Sequence, residues 1–161
     1  MILKVKNIVF RMLNILIIIY LLIFIPCLWG YKPLVVVSGS MEPSLKVGSI
    51  LYYHKENKIN FNKKDILVFK NKNHIVSHRI VEKLQEGFIT KGDANEIIDA
   101  SEIYNTQVLG KGTNWCIPYL GYYADFIYTH KYLLYISIII LIIDLYKEHR
   151  KKGNLNYEKS N

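Results

Sequence analysis

The chain is poor in cysteine, with only Cys27 and Cys116 among 161 residues and no C-x-x-C pair. Two cysteines are too few for a disulfide framework. A single bond between them on one side of a membrane stays open as an alternative, although isolated cysteines in apolar surroundings are usually buried thiols. The chain also has no internal repeat and no low-complexity segment. These absences argue against a disulfide-stapled module and against a repeat architecture.

Acidic residues are also scarce, since 13 of them face 21 lysines and arginines and the formal net charge is +8. No basic motif interleaved with aromatic residues accompanies this charge, so nucleic acid is not needed as a partner to explain it. Much of the excess instead lies beside two apolar segments, in the groups Lys4, Lys6, Arg11 and Lys147, Arg150, Lys151, Lys152.

The first apolar segment, residues 12–29, is long enough to cross ~30 Å of hydrocarbon at about 1.5 Å per residue. A cleavable secretory signal would also begin with positive charge. However, residues 25–29 contain no small-x-small cleavage pattern and the apolar core is too long for such a signal. We therefore predict an uncleaved N-terminal membrane anchor over residues 1–30.

The second apolar segment, residues 132–146, is short for a span, but residues 117–128 are aromatic and apolar enough to extend it or to lie along the interface. A buried amphipathic helix is the alternative. It is disfavoured because Ser137 is the only polar residue from 133 to 143. The sequence predicts an interfacial segment and a second transmembrane helix over residues 117–146, followed by a basic tail, residues 147–161.

Charge placement orients this two-span chain. Lysine and arginine near the ends of spans stay on the cytoplasmic side. Both termini are therefore predicted to be cytoplasmic, in a multi-pass protein of the cell membrane whose residues from 31 to about 130 lie on the extracytoplasmic face. The lipid bilayer, with its anionic headgroups, is the expected partner of the basic flanks.

The outer region, residues 31–116, has the short β-branched and aromatic runs of a β-domain. Predicted strands are residues 34–37, 49–53, 65–69, 75–81 and 87–90, and predicted turns are 46–48, 57–64, 71–73, 85–87 and 110–114. The predicted fold class is mainly β: a small barrel or folded sheet flanked by two transmembrane helices.

A segment with a candidate nucleophile begins fewer than ten residues after the first span: Ser38-Gly39-Ser40-Met41-Glu42-Pro43-Ser44. A serine hydroxyl needs a positioned base and a place for the oxyanion before it can attack a carbonyl. Taken alone, Ser-Gly-Ser is most often a polar turn. The later residues of the chain decide between these interpretations.

Those later residues are His78, in Ser77-His78-Arg79-Ile80, and the carboxylates of the segment Lys91-Gly92-Asp93-Ala94-Asn95-Glu96-Ile97-Ile98-Asp99. A neutral imidazole can accept the serine proton at physiological pH. A metal pair with His74 is the alternative, but that spacing suits a helix and the flanking residues favour a strand.

Together these three segments resemble the type I signal peptidases. The resemblance is to the endoplasmic-reticulum-type branch, also found in archaea and some Gram-positive bacteria, which uses histidine where most bacterial members use lysine. It covers residues 36 to 122 approximately and implies a small signal-peptidase-like β-domain. It also implies that Ser40 is the nucleophile, that Ser38 helps to hold the oxyanion and that His78 is the base.

Both Asp93 and Asp99 match acidic positions of the family pattern. The resemblance favours Asp99 as the residue that orients His78, and it implies that Asp93 supports the site structurally. The alternatives without a catalytic role are an Asx-type turn at Asp93 and a surface position for Asp99. Ala94, where many relatives have asparagine, is a mild departure. A serine-lysine dyad through Lys91 is the rival mechanism, although this lysine lies outside the base-bearing strand.

The function implied is a membrane-bound serine endopeptidase that removes signal peptides from secretory preproteins by acyl-enzyme hydrolysis, with no cofactor and no metal. The alternative is a catalytically inactive, membrane-tethered β-domain that binds export partners. Retention of Ser40, His78, Asp93 and Asp99 together argues against decay. Residues 117–122 resemble a segment that leads relatives of this branch into their second span. The sequence does not decide whether accessory subunits take part.

Overall fold

The computed structural model describes residues 2–57 and 60–159, which form two compact units. One unit, residues 23–125, is built on a β-sheet. The other contains the helix α1 (Ile2–Leu22), the end of α2 (Leu120–Thr129) and α3 (Lys131–Lys159). The residues predicted to form the outer domain therefore lie together in one unit.

The helical unit contains the start of the one candidate membrane span found among the described residues. This stretch, Arg11–Trp29, is long and apolar enough to cross a membrane, with a mean hydropathy of 2.5. It comprises the second half of α1 and a 3-10 helix, Ile25–Trp29. The predicted first span is thus supported by its length and composition.

The predicted second span and the tail are parts of one continuous helix. Residues 132–146 fall in the first half of α3, and the helix runs on through residues 147–159. Lysine and glutamate are common in that second half, and both favour helix. The change in polarity at residue 147 therefore does not coincide with a helix end. Residues 160 and 161 of the predicted tail lie outside the described residues.

The β-unit contains a seven-stranded sheet with the order β1-β2-β7-β3-β4-β5-β6, in which neighbouring strands pair antiparallel. The strands are β1 (Tyr31–Val35), β2 (Ile50–His54), β3 (Ile66–Asn71), β4 (His74–Lys83), β5 (Gly87–Lys91), β6 (Ile103–Tyr104) and β7 (Val108–Ile117). Each of the five predicted strands overlaps one of the first five, and the mainly β fold class is confirmed.

The predicted turn at residues 110–114 is wrong, because these residues form the middle of β7, between β2 and β3. A Cβ on Gly110 would collide with the carbonyl group of His54, and one on Gly112 would lie 2.8 Å from the side chain of Ile66. Glycine is needed here for close strand approach. The register shifts where β7 meets each neighbour.

Alternating side chains of β3 enter two different apolar cores. Ile66 and Val68 pack with Val36, Met41, Leu45, Leu51 and Tyr53 in the first core. Leu67 and Phe69 pack with Phe61, Ile80, Phe88 and Ile103 in the second. Cys116 lies against the first core, and both cysteines are free thiols. Two residues of the first core, Val36 and Met41, lie on either side of Ser40 in the sequence. The strand that bears His78 contributes Ile80 to the second core.

Candidate active site

Ser40 lies in a single 3-10 turn, Gly39–Met41, a few residues after β1 ends. The next side chain, Met41, is only 1% exposed and belongs to the first core. This burial fixes the turn from one side. On the other side the Ser40 carbonyl accepts a hydrogen bond from the backbone N–H of Ala94, at 2.9 Å.

The same carbonyl explains why glycine occupies position 92. A Cβ on Gly92 would lie 2.5 Å from the carbonyl oxygen of Ser40, so a side chain there would push the segment that follows β5 away from Ser40. The hydrogen bond from position 94 to the Ser40 carbonyl uses the backbone N–H of Ala94. It therefore does not depend on the asparagine side chain that many relatives have at this position.

His78 lies on β4 and its imidazole joins Ser40 to Asp99. Its Nε2 is 3.2 Å from the Ser40 Oγ, and its Nδ1 is 2.6 Å from the Asp99 Oδ2. An ionised carboxylate can only accept, so Nδ1 carries the proton and Nε2 is free to accept one from the serine. The ring of Phe69 packs edge-on against the imidazole, with centroids 6.3 Å apart. Three side chains that are distant in sequence therefore meet in the order that proton transfer from a serine requires.

Asp93 occupies a different place, beside Arg79. The guanidinium donates from Nε at 2.7 Å and from Nη2 at 2.5 Å to the two carboxylate oxygens. These bonds hold the pKa of Asp93 below its ordinary value and raise the pKa of Arg79. The structure therefore brings Asp99 to the imidazole and ties Asp93 into an ion pair.

Arg79 extends this ion pair towards the segment Ser38–Ser44. It also donates to the carbonyl oxygen of Lys64 at 2.8 Å and to the Ser44 hydroxyl at 3.4 Å. Sequence reasoning placed Arg79 only as the residue after the histidine. Successive side chains of a strand point to opposite faces, and that alternation is the feature that separates its role from that of His78.

Two cavities are lined by both Ser38 and Ser40, whose hydroxyl oxygens are 3.4 Å apart. The larger cavity, of about 440 Å³, is also lined by Phe69, Asn71, Val76, His78, Asp99, Ala100, Ser101 and Ile103. The smaller, of about 60 Å³, is lined mainly by Leu34, Val35, Val36, Val37, Met41, Ile75, Val76 and Ser77. Ser40 thus lines both a larger and a smaller cavity in which a ligand could reach its hydroxyl.

Several candidates from the sequence lie apart from these contacts. Lys91 pairs with Arg79 across β4 and β5, which places it beside the ion pair and on the strand face opposite His78. His74 is exposed at the start of β4, opposite Asn71. No group of three or more metal-ligating side chains occurs among the residues that the structure describes.

Sequence reasoning missed Thr90, a fully buried residue of β5 whose hydroxyl is 2.5 Å from the Asp99 Oδ2. One feature could have indicated it. Thr90 lies two residues after the buried Phe88, so the alternation of the strand turns a polar side chain inward.

Residues 117–122 pack against the turn that follows the nucleophile segment. The Gly121 N–H donates to the Gly48 carbonyl at 2.8 Å, and the Tyr122 ring occupies the space where a Cβ of Gly48 would be. Gly48 has a φ of +78°, so glycine is needed there on two grounds. It also donates to the Val36 carbonyl at 2.8 Å, which links this motif to the strand leading to Ser38.

No protein-family model matches the chain. It is 32% identical over 99 residues to the protein named signal peptidase I W of Bacillus subtilis, covering 58% of this chain and 52% of that protein. This chain therefore spans about half the length of that relative. It is 30% and 32% identical, over 135 residues, to the signal peptidase complex catalytic subunits sec11 of Sclerotinia sclerotiorum and SEC11 of Chaetomium globosum.

Each of these two fungal alignments covers 73% of this chain and 77% of the relative. Similarity at this level over most of both chains identifies a common family. The chain belongs to the type I signal peptidases, in their endoplasmic-reticulum-type branch.

Proposed function

We propose that this protein is a membrane-bound serine endopeptidase that removes signal peptides from exported preproteins through an acyl-enzyme intermediate. The observation that carries the proposal is the continuous contact from Asp99 through His78 to Ser40, at 2.6 and 3.2 Å, opening on a cavity. This contact favours a working peptidase over an inactive β-domain that only binds export partners.

In the first half of the reaction, Ser40 Oγ attacks the scissile carbonyl while His78 Nε2 takes its proton. Asp99 accepts the Nδ1–H, which fixes the tautomer and stabilises the imidazolium. The Ser38 hydroxyl, 3.4 Å from the Ser40 Oγ, is close enough to the reacting carbon to help the Ser40 N–H hold the oxyanion. His78 then gives its proton to the leaving amine, and the signal peptide remains as an ester on Ser40.

In the second half, His78 takes a proton from a water molecule that attacks the ester. Collapse of the second tetrahedral intermediate returns that proton to Ser40 and releases the signal peptide as a carboxylic acid. No metal or cofactor takes part in these steps. The ion pair of Asp93 with Arg79 has a supporting role, because it ties the acidic segment to the Ser44 side of the nucleophile segment.

The small apolar cavity supports a preference for substrates with small side chains near the cut. Its volume of about 60 Å³ leaves little room beside Ser40, and the end of β1 together with the start of β4 supplies half of its lining. An extended peptide laid along these residues would present alternate side chains to it. The family resemblance implies small residues at the −1 and −3 positions of the substrate.

A paired substrate tests this proposal. The purified protein in detergent is expected to cut a preprotein whose −1 and −3 residues are alanine, and the new N-terminus should begin directly after the −1 residue. The same preprotein with phenylalanine at both positions should remain intact, because a large side chain does not fit the small cavity. Mass spectrometry of the products reads both results. Equal cleavage of the two substrates, or a cut elsewhere, would contradict the proposal.

We also propose that the protein spans the membrane twice, with both termini in the cytoplasm and residues 31 to about 130 outside. The candidate span Arg11–Trp29 begins with a basic residue, and the apolar half of α3 is followed by Lys147 and Arg150. Cytoplasmic lysine and arginine at both ends suit this orientation. A cleavage site that emerges at the outer face would then lie on the same surface as the enzyme, which raises its effective concentration.

Trypsin added to intact protoplasts tests the topology. Lys63 is exposed in the loop before β3, whose residues 58 and 59 lie outside the described residues. We expect cleavage in this loop while a C-terminal tag stays attached to the fragment that contains Lys147. Detergent should expose the tag. A tag removed from outside intact cells would overturn the two-span arrangement without touching the catalytic assignment.

A further inference from the structure

Thr90 holds Asp99 by two separate contacts. Its hydroxyl is 2.5 Å from the Asp99 Oδ2, and its carbonyl oxygen accepts the Asp99 backbone N–H at 2.9 Å. A carboxylate only accepts, so the hydroxyl is the donor. The threonine has no exposed surface, so water does not compete for this hydrogen bond.

Asp99 needs such a partner because of where it lies in the chain. It belongs to the segment between β5 and β6, in which no helix or strand is present. His78 and Thr90, by contrast, come from the paired strands β4 and β5. Thr90 lies opposite Ile80, and Ile80 is two residues from His78, so all three side chains project to one face of the sheet. Two paired strands therefore supply the donors to the carboxylate of an irregular segment.

Both donors meet the same carboxylate oxygen. His78 Nδ1 lies 2.6 Å from Asp99 Oδ2, and the Thr90 hydroxyl reaches this atom from the neighbouring strand. Hydrogen bonds to a charged acceptor are short and strong. With one lone pair of Oδ2 bonded to Thr90, rotation of the carboxylate is restricted and the other lone pair is directed at the imidazole.

We propose that Thr90 is a positioning residue of the peptidase, whose hydroxyl holds the Asp99 carboxylate in the orientation that His78 requires. The hydroxyl of Thr90 bonds to Asp99, and Thr90 does not line either cavity beside Ser40. It acts through Asp99 alone. This inference rests on the proposed function, since it assigns Thr90 a part in the same catalytic unit.

Thr90→Val and Thr90→Ser separate the hydroxyl from the rest of the side chain. Valine keeps the size and β-branching of threonine and removes the donor, whereas serine keeps the donor. We expect Thr90→Val to lower kcat for preprotein cleavage about 10- to 100-fold, the loss typical of one charge-assisted hydrogen bond, with KM changed less than about twofold. Thr90→Ser should stay within about threefold of wild type.

The same substitution in an Asp99→Asn background tests whether Thr90 acts through Asp99. There Thr90→Val should cost less than about threefold, because the carboxylate that it positions is already absent. An equal loss in both backgrounds, or a normal kcat for Thr90→Val, would overturn the inference. If the valine variant does not fold, Thr90→Ala compared with Thr90→Ser in the two backgrounds decides by the same criteria.

Failure of this inference can be distinguished from failure of the proposed function. If the wild-type protein does not cleave the preprotein, the proposed function fails. If wild type cleaves and Asp99→Asn is slow while Thr90→Val is unaffected, the function stands and the role of Thr90 is wrong.

Discussion

Replacement of Ser40 by alanine is expected to lower kcat/KM for preprotein cleavage by at least about 10³-fold, because the variant has no atom to form the acyl bond. The fold should survive the change. The turn is anchored by the buried Met41 and by the backbone contact of Ser40 with Ala94, and neither uses the serine hydroxyl. Steady-state cleavage followed by gel or mass spectrometry measures the loss.

Ser137→Ala is the matched control, since it makes the same chemical change in α3, outside the β-unit. It should retain wild-type cleavage. A Ser40→Ala protein that still cleaved at a wild-type rate would remove the nucleophile from the mechanism.

Replacement of His78 by alanine is expected to have an effect of the same size, at least about 10³-fold, because the serine would lose its base and its leaving-group acid together. His74→Ala provides the control, being the same substitution four residues earlier at an exposed position of the same strand. It should remain active. The opposite pattern, with His74→Ala inactive and His78→Ala active, would show that the assignment of His78 as the base is wrong.

His78→Lys should not restore activity. A lysine base must be neutral, and the Asp99 carboxylate, which lies 2.6 Å from the native imidazole, would favour its charged form.

Lys91→Ala should leave most of the activity in place, since Lys91 pairs with Arg79 across the strands and not with His78.

The strands were predictable where a short apolar run rich in β-branched and aromatic residues is bounded by turn residues. Residues 66–69 show this, because apolar side chains fill both faces of β3 and enter the two cores. The centre of β7 was not predictable in the same way. Gly110 and Gly112 have the composition of a turn, and only the nearby His54 and Ile66 reveal that glycine is needed for close packing.

The candidate site was predictable as a set of residues, but not in all its pairings. Ser40 and His78 stand in recognisable segments, whereas Asp93 and Asp99 share one segment with no helix or strand. Their partners depend on the register of β4 with β5, which a single sequence does not specify. Thr90 was missed for a related reason: a threonine in a strand is common, and its role appears only when the loop bearing Asp99 is folded over it.

The most direct test of the catalytic unit is to compare kcat/KM for wild type, Ser40→Ala, His78→Ala and the double variant, at high enzyme concentration so that slow cleavage is measurable. Residues that act as one unit lose their effect together, so the double variant should be no slower than either single variant, within about threefold. If the two losses multiplied, Ser40 and His78 would act independently, and the proposed mechanism would be wrong.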